Sequence, residues 1–226
     1  MTDLTRYELR DGIATITMDD GKVNALSVPM LGAVAADLDR AEADEAVVIL
    51  TGRAATLSAG FDLRSDDWPS MLTAGASLAR RMLAFPRPVV IACNGHALAM
   101  GGFLLLSGDV RIGAAGEHRI GLNEVAIGLT LPWFGVALAE HRLAPPYDDR
   151  LTVTGAIIDP EEARLAGFLD RVVAPEEVAA VARATAEELK GINMVAHAAT
   201  KVRIRHRLLA DLDDGIARIG DPDREL

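Results

Sequence analysis

The stretches LSAGFDL at residues 57–63 and NGHALAMGG at residues 94–102 decide the fold of this chain. Each follows an apolar run and is rich in small residues, which allow backbone N–H groups to approach a ligand oxygen closely. Two such N–H groups on neighbouring segments form an oxyanion hole, which stabilises negative charge on an oxygen during a reaction. The two stretches therefore predict a site at which the backbone itself contacts the substrate.

The sequence on either side alternates between strand patterns and helix patterns. Residues 4–18 alternate apolar and polar positions around Asp11-Gly12, which predicts a β-hairpin. Ser27 is a helix N-cap candidate. Buried strands are predicted at 46–52, 88–95 and 109–114, with helices at 28–44, 69–84 and after the glycine pair at 101–102. Strands and helices in this order form right-handed crossovers on a parallel sheet, so the fold class is α/β.

After about residue 132 the chain is predicted to be mostly helical. DRVV at residues 170–173 is the one strand candidate there, and the predicted helices are 132–142, 146–154, 160–167, 175–190 and 193–213. We therefore expect two parts, a core over residues 1–170 and a helical C-terminal region over residues 171–226.

Composition narrows the class of protein. The net charge of −10 argues against a nucleic-acid-binding surface. Cys93 is the single cysteine, so an internal disulfide is excluded and a reducing compartment is expected. No apolar run approaches the ~20 residues that span a bilayer, so we expect no membrane partner and a cytoplasmic location. The histidines lack metal-ligand spacing, so no metal is expected.

Three further motifs extend the evidence along nearly the whole chain: VNALS at 23–27, IGLNEVAIGLTLP at 120–132 and EEARLAGFLDRVV at 161–173. Together with the two opening stretches, they resemble the enoyl-CoA hydratase/isomerase (crotonase) family. The resemblance implies a ββα superhelix core with a C-terminal oligomerisation region, assembled as a homotrimer or a dimer of trimers. It implies an acyl-CoA thioester as substrate, with coenzyme A as part of that substrate and no separate cofactor.

The resemblance assigns the two oxyanion donors to backbone N–H groups. The first belongs to Phe61, which stands between glycine and aspartate in the family's A-G-x-D pattern. The second belongs to Met100 when the following strand, helix and Asp109 are aligned without a gap, with Gly101 as the alternative one residue on. The family more often has glycine at the position of Met100.

The acid and base groups suggest the reaction. Hydratases of the family commonly use two glutamates, and this chain has Phe103 at the first position and Glu124 at the second. A lone glutamate in an apolar context should have a raised pKa, which suits proton transfer near neutral pH. One base favours double-bond isomerisation of an enoyl-CoA. The alternatives are hydration of a 2-enoyl-CoA by Glu124 alone and an acyl-CoA-binding protein that has lost useful catalysis.

The remaining candidates concern substrate binding. The resemblance implies that backbone groups at Ala59 and Gly60 contact the substrate and that Arg64 meets the coenzyme A phosphates. The resemblance also implies that a basic residue on the C-terminal helices, often from the adjacent subunit, meets the same phosphates, and the candidates in this chain are Lys201, Arg203 and Arg205. Phe103 and Trp133 are candidates for the wall of the acyl pocket, with ordinary core packing as the alternative.

Overall fold

The fold is an α/β structure of short repeating units, seen in a computed structural model that describes residues 4–221 of the chain. The strands are β1 Thr5–Arg10, β2 Ile13–Met18, β3 Ala25–Leu26, β4 Val47–Thr51, β5 Thr56–Ser58, β6 Gly60–Phe61, β7 Val89–Cys93, β8 His96–Leu98, β9 Val110–Ala114, β10 Ile120–Gly121 and β11 Arg171–Val173. The helices are α1 Val28–Ala43, α2 Trp68–Ala84, α3 Met100–Leu106, α4 Trp133–Arg142, α5 Tyr147–Thr154, α6 Pro160–Ala166, α7 Val178–Lys190, α8 Met194–Ile204 and α9 His206–Arg218.

A six-stranded sheet forms the centre of the molecule, in the order β1-β2-β4-β7-β9-β11. Strands β1 and β2 are antiparallel, and Asp11 and Gly12 turn between them with φ of 52° and 71°. The other pairs in this sheet are parallel. The predicted hairpin and the three predicted parallel strands are therefore confirmed.

Short strands form two further small sheets beside the large one. These are a three-stranded sheet, β10-β8-β5, and a two-stranded pair, β3-β6. Each long strand leads to a short strand and then to a helix, as in β7, β8 and α3, which is the ββα superhelix that the resemblance implies. Strands β5 and β6 lie between the predicted strand at 46–52 and the predicted helix at 69–84, where no strand was predicted. Strands this short show no period that a sequence pattern could detect.

Apolar side chains fill both faces of the large sheet. One face packs with α1, α2 and α3 into the main core, where Met30, Leu78 and Leu104 are buried. The other face is covered by α7, whose Val178, Ala182 and Ala186 pack against residues of β4, β7 and β9. Strand β11, which lies beyond residue 170, pairs with β9 at the edge of the large sheet.

The C-terminal helices differ from the prediction at one point. A single helix over 193–213 was expected, but α8 ends at Ile204 and α9 begins at His206. Arg205 lies at this break, and its guanidinium binds the Asp109 carboxylate at 2.8 Å. The break lets α9 turn and pack against α2 and α4. None of the helices within residues 4–221 has the length and apolar character needed to cross a membrane.

Candidate active site

A cleft of about 400 Å³ lies where β6, the turn between β8 and α3, and the segment 123–129 meet. Five of the residues predicted for the site line it, namely Ala59, Gly60, Phe61, Arg64 and Glu124. Its other lining residues are Asp20, Lys22, Val23, Ala25, Asp62, Leu63, Trp68, Ala99, Asn123, Ile127 and Leu129. The structure therefore brings together the donor segments and the candidate base.

The two donor segments touch each other at Gly60 and Ala99. Gly60 has φ of +100°, and a Cβ atom built on it would lie 2.8 Å from the Cβ of Ala99 and 3.6 Å from the backbone nitrogen of Met100. Ala99 itself has φ of 50°, which is unusual for a residue other than glycine and is typical of functional turns. The close approach places the backbone around Phe61 beside the N-terminal end of α3.

Met100 is the first residue of α3, so its N–H has no acceptor within the helix. Its side chain is fully buried, and its sulfur lies near Gly75 of α2. The bulk of methionine is therefore in the core. The next residue, Gly101, packs against β5, because a Cβ there would lie 2.5 Å from the carbonyl oxygen of Ser58.

Two buried polar residues hold the first donor segment. The Asn24 side-chain amide donates to the carbonyl oxygens of Met18 and Leu57, each at 3.1 Å. The Ser58 hydroxyl donates to the carbonyl oxygen of Asn24 at 2.7 Å and accepts from the Gly60 N–H at 3.1 Å. Sequence reasoning did not assign these roles. The available signal was a pair of polar residues, Asn24 and Ser58, each next to an apolar strand.

Glu124 lies directly before a 3-10 turn, Val125–Ile127, on the wall of the cleft. Only 6% of the residue is exposed, and its Oε2 atom is buried with no hydrogen-bond partner. Burial raises the pKa of Glu124 to about 7, against the smaller opposing effect of a hydrogen bond from its own backbone. The pKa of this carboxyl group is therefore raised, as the sequence predicted.

The other two carboxylates that line the cleft, those of Asp20 and Asp62, already accept hydrogen bonds. Burial by itself would raise the pKa of Asp20. Backbone hydrogen bonds from Ala25, Asn24 and Lys22 outweigh this effect, so the pKa is lowered. Hydrogen bonds from the Arg64 side chain and backbone lower the pKa of Asp62. Both groups are stable anions with partners, so Glu124 is the one carboxylate among the described cleft residues that is suited to exchange a proton.

The basic residues divide into two groups. Arg64 lies at the cleft rim with 79% of its side chain exposed, and it forms a two-pronged ion pair with Asp62 at 2.9 Å. By contrast, Lys201 and Arg205 bind Asp109 at 2.6 and 2.8 Å, and the Lys201 side chain is 3% exposed. Within this chain, Lys201 and Arg205 are paired with Asp109 and do not line the cleft. Arg203 is exposed on α8.

Two aromatic candidates for the acyl pocket, Phe103 and Trp133, do not line this cleft. Phe103 is fully buried and packs edge-on against Phe134, with ring centroids 5.5 Å apart. Trp133 lines a neighbouring cavity of about 650 Å³ that also contacts Val125 and Leu131. Its ring stacks under the Arg218 guanidinium, 4.6 Å from the centroid. The aromatic residues that do line the Glu124 cleft are Phe61 and Trp68, whose rings meet edge-on.

Asn123 is a cleft residue that sequence reasoning missed. It precedes Glu124 and lines the cleft, and its Oδ1 atom is buried without a hydrogen-bond partner. A buried amide with an unused acceptor usually has a role in binding a ligand or a water molecule. Its sequence signal was its position beside the predicted base.

Two facing backbone-donor segments and one buried carboxylate, set in a ββα superhelix, define an enzyme of the crotonase class. The family described as enoyl-CoA hydratase/isomerase matches residues 8–216. The crystal structure of an enoyl-CoA hydratase/isomerase family protein from Pseudomonas syringae is 46% identical, with a TM-score of 0.95 over 100% of this chain and 99% of that one. The chain belongs to the enoyl-CoA hydratase/isomerase family.

Relatives with both activities are similar to this chain. An enoyl-CoA isomerase of Mycobacterium tuberculosis is 42% identical, with a TM-score of 0.95 over 98% of this chain and 100% of that one. A short-chain enoyl-CoA hydratase of Clostridium acetobutylicum is 27% identical over 91% of this chain and 82% of its own length. Membership therefore defines a hydratase or an isomerase, and the choice between them depends on the side chains of the cleft.

Proposed function

We propose that this enzyme moves the double bond of a 3-enoyl-CoA to the 2-position, with Glu124 as both acid and base. The observation that carries the proposal is the buried and unpartnered carboxylate oxygen of Glu124. Glu124 is the one carboxylate among the described cleft residues with a buried oxygen that lacks a partner, and burial raises its pKa to about 7.

The reaction begins when ionised Glu124 removes a proton from the α carbon of the substrate. The electrons of the C–H bond move toward the thioester oxygen and form a dienolate, whose negative charge the N–H groups of Phe61 and Met100 receive. Preorganised donors of this kind typically contribute ~10² to 10³ in rate each. Protonated Glu124 then delivers the proton to the γ carbon, which leaves the double bond conjugated with the thioester and restores the carboxylate.

A pKa near 7 suits this cycle because the same group must be ionised in the first step and protonated in the second. A carboxyl group with an ordinary pKa would be a weaker base. Asp20 and Asp62 have lowered pKa values and fixed partners, so neither supports proton return.

Phe103 argues against hydration by the two-glutamate route. It stands where family hydratases commonly have their first glutamate, and it is fully buried against Phe134. The chain has no carboxylate at this position to orient water. Asn123 supports a second candidate reaction, because an amide beside Glu124 in the cleft could position water for the hydration of a 2-enoyl-CoA.

The proposed substrate contacts use the rest of the cleft. Ala59 and Gly60 offer backbone groups on its wall, and Arg64 is a cation at its rim for the coenzyme A phosphates. Phosphate binding would draw Arg64 away from Asp62, and guanidinium groups suit both partners. A homotrimer or a dimer of trimers remains the proposed assembly.

The experiment compares Glu124→Gln with wild type on a 3-enoyl-CoA and on a 2-enoyl-CoA. We expect wild type to isomerise the first substrate and Glu124→Gln to lose ~10² to 10⁴ in kcat. Coenzyme A ester binding should persist, because glutamine keeps the shape of the side chain. The exposed Glu117→Gln is the control and should retain wild-type rates.

The outcomes separate the candidates. Hydration of the 2-enoyl-CoA at an ordinary enzymatic rate, without double-bond migration, would overturn the proposal in favour of a hydratase. Tight binding of acyl-CoA with no turnover of either substrate would indicate a binding protein that has lost catalysis.

A further inference from the structure

The side chains of both proposed oxyanion donors meet at one residue, Gly75 in the middle of α2. A Cβ atom built on Gly75 would lie 2.7 Å from Cε1 and Cζ of the Phe61 ring and 3.1 Å from the Met100 sulfur. Gly75 is buried and does not line the cleft. It therefore approaches the side chains of both donor residues from within the core.

Glycine is a poor choice for this position on helix propensity alone. In a helix interior it costs about 1 kcal/mol relative to alanine, because the unfolded chain is more flexible. Its neighbours in α2 are Ala74 and Ala76, so small helix-forming residues occur on either side. The close approach of the Phe61 ring explains why the position has no side chain.

Each of the two N–H groups belongs to a residue whose backbone and side chain are both held by the fold. The backbone of Phe61 lies in β6, which pairs with β3, and its ring rests on Gly75. Met100 begins α3, and its buried side chain reaches the same spot on α2. A shift of about 1 Å in catalytic geometry can cost ~10² in rate.

We propose that Gly75 is a positioning residue of the oxyanion hole: α2 sets the relative place of the Phe61 and Met100 N–H groups through this one contact. The proposal rests on the proposed function for the identity of the two donors. It does not depend on whether the reaction is isomerisation or hydration, because both pass through a thioester enolate.

The test compares Gly75→Ala with Gly32→Ala. Gly32 is an exposed glycine in helix α1 with no atom within 4 Å of an added Cβ, so it controls for the change in helix propensity. The probe is hexanoyl-CoA with ¹³C at the thioester carbonyl, and the readout is its carbonyl stretch in isotope-edited infrared difference spectra. This saturated thioester is not turned over, so the measurement reports the hydrogen bonds of the hole alone.

We expect wild type and Gly32→Ala to shift the bound carbonyl band to lower frequency than in water. Gly75→Ala should lose much of that shift, and its kcat should fall roughly ten-fold or more with KM changed less than about two-fold. The double variant Gly75→Ala/Phe61→Leu removes the ring atoms that the added methyl would meet and keeps the Phe61 N–H. It should recover most of the band shift.

The proposal is overturned if Gly75→Ala shifts the carbonyl band as far as wild type does. It is also overturned if the double variant does not fold or does not recover the shift. If the added methyl at residue 75 acts by its clash with the Phe61 ring, removing the ring must restore the band shift. Absence of any shift in wild type would show that Phe61 and Met100 are not the donors. Failure of isomerisation alone, with the band behaving as expected, would overturn only the proposed reaction.

Discussion

Gly60 and Ala99 contact each other at the wall of the cleft, and both have a positive φ, +100° for Gly60 and 50° for Ala99. Gly60 belongs to the segment that carries the Phe61 N–H, and Ala99 caps the helix that begins with Met100. The two residues therefore bring into contact the two segments that carry the proposed donors.

Gly60→Ala should abolish most activity. The new Cβ would lie 2.8 Å from the Ala99 Cβ and 3.1 Å from the Leu98 carbonyl oxygen, and alanine is strained at this φ. We expect kcat to fall by ~10² or more, as for loss of an oxyanion donor. Gly116→Ala is the matched control, because Gly116 has φ of +120° but its nearest neighbour is an ordinary 3.6 Å away. Equal activity losses in the two variants would contradict the role of the Gly60 contact.

Glu124→Gln should stabilise the protein at pH 8 while it removes activity. Burial raises the folded-state pKa of Glu124 from 4.5 to about 7. The folded state therefore binds more protons than the unfolded state between these values, and stability is lost as pH rises through about 7. The difference corresponds to about 3 kcal/mol. Glutamine is free of this cost, so urea unfolding of the variant should show a gain of that order at pH 8 and little gain near pH 4.5.

The exposed Glu117→Gln serves as the control and should show little change in stability at either pH. A Glu124→Gln variant whose stability relative to wild type does not change between these two pH values would show that Glu124 keeps an ordinary pKa.

Phe103→Glu should not create a two-glutamate hydratase. The Phe103 ring is fully buried, and its Cζ would lie 2.6 Å from a Cβ on Gly135, so the space around it is closed to substrate and water. Replacing it leaves a cavity and buries a carboxyl group, and we expect a loss of at least about 3 kcal/mol in unfolding free energy. Phe103→Leu should cost less and keep isomerisation. Efficient hydration by a folded Phe103→Glu variant would place this residue in the active site.

Lys201→Met should weaken the fold without weakening substrate binding. Lys201 donates to Asp109 at 2.6 Å in a buried cluster, and breaking such a pair costs about 3 kcal/mol. We expect KM for the acyl-CoA to stay within about two-fold of wild type, since Lys201 is paired with Asp109 and does not line the cleft. Arg203→Met changes an exposed residue of the same helix and should leave stability within about 0.5 kcal/mol. A large rise in KM for Lys201→Met would restore its predicted role at the phosphates.

The sequence predicted those features that a local pattern records. The β-hairpin at Asp11-Gly12, the cap at Ser27 and the long parallel strands follow from turn residues, capping residues and apolar runs. These features need no knowledge of what packs against them.

The features that were missed depend on tertiary contacts. The last helix breaks at Arg205, where no glycine or proline marks the break and the guanidinium binds Asp109, which lies far away in sequence. Phe103 lies in the core because α4 places Gly135 against its ring. The support of the first donor by Asn24 and Ser58 likewise crosses between separate segments. Sequence spacing does not encode such pairs.

The most direct test of single-carboxylate isomerisation is one time course by proton NMR, in which purified enzyme acts on 3-hexenoyl-CoA. Our account predicts accumulation of 2-hexenoyl-CoA at an enzymatic rate, its loss in Glu124→Gln, and only slow conversion of the product to 3-hydroxyhexanoyl-CoA. Rapid formation of 3-hydroxyhexanoyl-CoA from added 2-hexenoyl-CoA, with 3-hexenoyl-CoA left unchanged, would contradict it.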